Sequence, residues 1–132
     1  MTEAQGNYRD ETRLVHMLQV LERLSSEAGE ISVVGDLSAD DRLTRAIMYD
    51  FSVLGEAANN ISDSLCASHP EIPWADVAGF RHKLVHDYSS VDYGIMFAAL
   101  KNDVPTLLQK VRQLVDKLPP EPDPPKNISD FD

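Results

Sequence analysis

Seven apolar residues, Leu43, Ile47, Phe51, Leu54, Ala58, Ile61 and Leu65, follow one another at steps of three and four. That spacing places them along one side of a long α-helix, in the manner of a bundle seam. One helix cannot bury such a stripe by itself, so other amphipathic helices must close around it. The chain supplies them. Leu14, Met17, Leu18, Leu21 and Leu24 form a similar stripe on a helix expected to start near Asp10. Asp40 stands where an N-cap of the long helix belongs, and the stretch between Gly29 and Gly35 reads as a loop.

His69-Pro70-Glu71-Ile72-Pro73 must end the long helix, because proline removes a backbone donor and pushes the preceding residue out of helical geometry. A shorter third helix then carries Trp74, Val77, Phe80, Leu84 and Val85, with Gly79 a weak point or a close-packing position. Asp92 caps a fourth helix whose apolar face runs from Ile95 to Leu118, and Pro105 should kink or split it. No run alternates long enough to predict a strand. The expected fold is all-α, an antiparallel bundle of four to five helices over residues 1–118, with one domain and one core. Residues 119–132, beginning Pro119-Pro120-Glu121-Pro122-Asp123-Pro124-Pro125, read as a flexible, disordered, acidic proline-rich tail.

The formal charge of −10 argues against general affinity for nucleic acid, so any RNA chemistry has to be local. Arg81, Lys83 and neighbouring histidines, with Lys101, Lys110, Arg112 and Lys117 downstream, allow a small basic patch on an acidic body. No apolar run is long enough for a membrane span and no signal peptide is recognisable, so a cytoplasmic protein with no membrane association is expected. The single cysteine, Cys66, reads as a helix packing residue without assigned chemistry.

Arg81-His82-Lys83-Leu84-Val85-His86-Asp87-Tyr88 concentrates a permanent cation, a titratable imidazole and a phenol. These groups suit phosphodiester cleavage, which needs a proton acceptor, a proton donor and positive charge against the phosphorane oxygens. The spacing alone also fits surface charges and a helix-end histidine. On one continuous helix Arg81 and His86 would stand roughly 140° apart, which calls for a kinked helix end or a second subunit. His82 and His86 would lie one helical turn apart, but no third ligand is evident, so no metal and no cofactor is expected.

The same segment resembles the Arg-x4-His-x-Tyr motif of the HepT-like toxins, helical ribonucleases of the HEPN superfamily. The resemblance extends to Gly55-Glu56-Ala57-Ala58, His69-Pro70-Glu71-Ile72-Pro73-Trp74, Ala78-Gly79 and Val91-Asp92, in the same order, and spans about residues 10 to 118. It implies a metal-independent endoribonuclease, the toxin of a type II/VII-like toxin-antitoxin pair, acting on RNA as a homodimer. Its partner would be a cognate minimal nucleotidyltransferase antitoxin. In this chain Arg81 and His86 would cleave RNA, and Tyr88 would accept adenylyl groups that silence the enzyme. Glu56 is a candidate to pair with Arg81 and orient it, against the alternative of a solvated glutamate. Two other readings stay open: a non-catalytic helical binding partner of a nucleotidyltransferase, and a motif serving only as a dimer seam.

Overall fold

A computed structural model describes the backbone of residues 2–87 and 90–118 and the side chains of residues 9–85 and 90–118. The expected tail, 119–132, lies outside the described residues. The chain forms α1 (Thr2–Ala28), α2 (Gly35–Ala39), α3 (Asp41–Asn59), α4 (Asp63–Ser68), α5 (Trp74–Leu84), β1 (Val85–Asp87), β2 (Ser90–Val91), α6 (Tyr93–Ala98), a π-helical turn (Ala99–Asp103) and α7 (Val104–Asp116). It is an α-helical bundle. α3 lies against both α1 and α5, and α7 packs against α1.

The two apolar stripes meet in the core: Leu14, Met17, Leu21 and Leu24 of α1 are buried with Ile47, Phe51, Leu54 and Ala58 of α3. Asp40 caps α3, its carboxylate accepting from the Leu43 amide at 3.0 Å. Asp92 does the same for α6 through the Ile95 amide at 2.9 Å. Both carboxylates satisfy backbone donors that the first turn of a helix leaves unpaired.

Three expectations need correction. α1 begins at Thr2, well before Asp10. The long helix does not run on to Leu65: α3 stops at Asn59, and Ser62 caps a separate α4 by accepting from Leu65. Ile61 is nevertheless buried, so the stripe of burial continues where the helix does not. The third helix ends at Leu84, and Val85–Asp87 pair with Ser90–Val91 as a short antiparallel hairpin.

Pro105 splits the last helix as its chemistry requires. It cannot donate to the carbonyl four residues back, and its ring crowds that carbonyl. The turn ahead of it widens, so that Val104 donates to Ala99, five residues back. Lys101, on this widened turn, donates to the Ala28 carbonyl at 2.7 Å, placing a cation at the C-terminus of α1.

Between α1 and α3, Arg23 holds the buried carboxylate of Asp50 at 3.0 Å. Glu27 lies beside that carboxylate, and its buried Oε1, one of its two carboxyl oxygens, has no hydrogen-bond partner among the described residues. Burial, then a hydrogen bond with Asp50 and its charge, pushes the Glu27 carboxyl up from 4.5 to about 8. Above pH 4.5 the unfolded chain therefore gives up this proton before the folded one does. Stability should fall as pH rises from 4.5 to about 8 and then level off. Glu27→Gln removes the titration while keeping a donor for Asp50. Urea midpoints at pH 5 and pH 8 should differ less in this variant than in the parent, with the gain concentrated at pH 8.

Candidate active site

α3 approaches the backbone of α5 closely at Gly55. A Cβ there would stand 3.1 Å from the Ala78 carbonyl oxygen and 3.2 Å from that of Val77. Phe51, one turn earlier in α3, meets Phe80 with ring centroids 4.9 Å apart. The contacts run in opposite order along the two helices, so α3 and α5 are antiparallel, and Arg81 lies one turn beyond the crossing. Gly79, by contrast, has open space around it, so the close-packing glycine of this helix pair is Gly55. Trp74 fixes the other end of α5, donating from Nε1 to the His69 carbonyl at 3.0 Å.

Arg81 follows Trp74 by seven residues and Val77 by four, and precedes Leu84 by three. At 3.6 residues per turn it shares their face of α5. Those three are buried, yet Arg81 is exposed. Among the described residues its guanidinium has no hydrogen-bond or ion-pair partner. His82 and Lys83 beside it are also exposed, and the three form a basic last turn where the helix dipole favours cations.

Immediately after this turn the backbone is clasped. Val85 donates to the Arg81 carbonyl, and Asp92 donates to that of Leu84 at 2.7 Å. The hairpin register pairs Val85 with Val91 and Asp87 with Ser90, with an irregularity between Val85 and Asp87. His86 is the extra residue, standing at a β-bulge. Bulges of this kind recur beside active sites, where they set one residue out of the regular alternation.

The break at Leu84 alters two sequence-based arguments. Arg81 and His86 are not on one helix, so the 140° separation that called for a second subunit does not apply. The one-turn relation between His82 and His86 is also absent, and no three His, Cys, Asp or Glu side chains among the described residues are grouped as a metal site. Tyr88 lies outside the described residues. Glu56 is on α3 and exposed, and among the described residues it makes no ion pair with Arg81. Its backbone carbonyl accepts from the Asn60 amide side chain at 2.8 Å. Cys66 is half-buried and burial pushes its thiol up, in keeping with a packing role.

Sequence reasoning missed the bulge and the Leu84–Asp92 clasp. The available signal was the pair of β-branched residues, Val85 and Val91, flanking the motif. It also missed a cavity of about 380 Å³ lined from α3, α5 and α7, with both Lys83 and Lys110 in its lining.

Residues 17–114, well over half of the chain, match the family model described as Ribonuclease HepT-like. The chain belongs to the HepT-like ribonuclease family. A relative from Caldanaerobacter subterraneus, described as a candidate RNase, is 34% identical over 79% of this chain and 92% of its own length. A second, from Thermococcus cleftensis and described as a candidate ribonuclease HepT, is 35% identical over 60% of this chain and 72% of its own. A third, a candidate RNase of Methanocaldococcus jannaschii, is 28% identical over 58% and 63% respectively. No solved structure matches the chain. Among the described residues no helix is long and apolar enough to cross a membrane.

Proposed function

We propose that this HepT-like chain is the toxin of a toxin-antitoxin pair, a metal-independent endoribonuclease whose cleaving residues are Arg81 and His86. The observation that carries the reading is the placement of the motif. An exposed Arg81 without a partner among the described residues stands in the last turn of α5, and His86 follows at a bulge beside the Leu84–Asp92 bond. In the proposed reaction a base takes the proton of a ribose 2′-hydroxyl, the freed oxygen attacks the adjacent phosphorus, and the 5′-oxygen leaves with a proton. The products are a 2′,3′-cyclic phosphate and a 5′-hydroxyl. His86 is assigned a proton transfer, since imidazole titrates near neutrality. Arg81 is assigned the phosphorane charge, which a planar guanidinium can meet through two oxygens at once.

The working unit is proposed to be a homodimer and the domain to end near Leu118, leaving 119–132 as a tail. Silencing is assigned to Tyr88. Its phenolic oxygen attacks the α-phosphorus of ATP on a minimal nucleotidyltransferase partner, pyrophosphate leaves, and the phenol proton passes to solvent or a base. Each AMP adds bulk and a negative charge beside the cleft, which repels the RNA backbone. Co-expression with the neighbouring nucleotidyltransferase should raise the intact mass by whole AMP units, and Tyr88→Phe should abolish the increase. A mass increase that survives Tyr88→Phe assigns the modification elsewhere.

The test of cleavage is growth and RNA integrity on expressing the chain alone. Toxicity lost in Arg81→Ala and His86→Ala supports the enzyme. Intact RNA together with tight binding of a nucleotidyltransferase would instead favour a non-catalytic partner.

A further inference from the structure

The cavity between α3, α5 and α7 has Phe51, Val77, Phe80 and Leu107 among its apolar lining. Its charged lining is Lys83 and Asp76 from α5, and Lys110 and Asp103 from the α7 side. Of the basic residues downstream of the motif, only Lys110 lines this cavity. Lys101 is engaged with the end of α1, and Arg112 lies 3.9 Å from Glu22. Lys83, two residues along α5 from Arg81, and Lys110, which also donates to the Glu71 carbonyl at 2.9 Å, thus bring two cations to a lining that carries Asp76 and Asp103 as well.

We propose, resting on the RNase reading, that this cavity is a subsite for a nucleotide flanking the cleaved bond. The base enters the apolar trough, where Phe80 offers a half-buried ring, and its phosphate lies between Lys83 and Lys110. Asp76 and Asp103 are acceptors without donors of their own, and they would repel a phosphate placed against them. They suit a base carrying an exocyclic amino group, as adenine, guanine and cytosine do and uracil does not. The subsite thus gives sequence preference as well as affinity. Arg81 and Lys83 leave the last turn of α5 in different directions, so a single strand passing around the helix end meets both.

The probe is a set of 2′-O-methyl RNA pentamers differing at one flanking base, which cannot be cleaved and so report binding alone. Acetylation of lysines in the full chain is followed by mass spectrometry with and without pentamer. Protection confined to Lys83 and Lys110, against unchanged Lys101 and Lys117, is expected. Lys110→Gln, which removes the charge, should weaken binding and lower the salt slope by about 0.7. Asp103→Ala should remove a preference of about tenfold for amino-bearing bases over uracil.

Equal protection of all lysines, or equal affinity for all bases, overturns the subsite. Protection already present without RNA and abolished by deleting residues 119–132 assigns the cavity to the chain's own tail. Protection that grows with protein concentration assigns it to a second copy. Either result overturns the proposal. Pentamer binding without cleavage of unmodified RNA leaves the subsite standing and removes the RNase reading.

Discussion

Arg81→Ala and His86→Ala should each lower RNA cleavage by about two to three orders of magnitude, the range expected for losing a transition-state charge or a proton-transfer group. The two losses should differ in kind. Removing Arg81 takes away a cation from an exposed turn in which it has no structural partner among the described residues, so stability should hardly change. Lysine should restore only part of the rate, because an ammonium cannot meet two phosphoryl oxygens in one plane. His86→Ala should in addition alter the pH profile, since the titrating group is gone. Single-turnover cleavage of a short RNA across pH 5 to 9, with thermal melts of the same samples, separates these effects. An Arg81→Ala enzyme that cleaves like the parent would remove the assignment of phosphate charge to this residue.

Gly55→Val should destabilise the fold by about 2–3 kcal/mol, the upper part of the range for overpacking a filled interface. Even a methyl at this position would stand 3.1 Å and 3.2 Å from two carbonyl oxygens of α5, and those belong to helix backbone that cannot rotate away. The branched side chain must push α5 off α3, separating Phe51 from Phe80 and shifting the turn that presents Arg81. Gly55→Ala should cost less, since its neighbours need give by only a few tenths of an ångström. Urea denaturation gives the stability, and cleavage at a temperature where both variants are folded gives the displacement of Arg81. A fully active, fully stable Gly55→Val would show that the α3–α5 crossing does not position the motif.

The helical periodicity of α1 and α3 made the core legible, and the side chains of Asp40 and Asp92 marked two helix starts. These are local signals, carried by residues within one turn of each other. Ile61 and Leu65 misled because their apolar side chains, buried at Ile61 and half-buried at Leu65, kept the helical period across Asn59 and Asn60, although α3 had ended and Ser62 had begun a new helix. Val85 misled for a related reason. It follows buried Leu84 as a helix residue would, but its partner is Val91, and a cross-strand pair leaves no mark on a helical period. The motif could therefore be located in the sequence while its conformation could not. Lys83 and Lys110 line one cavity only because three helices contribute to its wall, so nothing in their spacing announced it.

The most direct test of the central claim is to incubate the purified chain with end-labelled RNA in EDTA and identify the ends of the products. Fragments bearing 2′,3′-cyclic phosphate and 5′-hydroxyl ends, absent with Arg81→Ala and with His86→Ala, are the predicted result. RNA left intact both with EDTA and with added divalent metal, or fragments that persist unchanged in both variants, would contradict it.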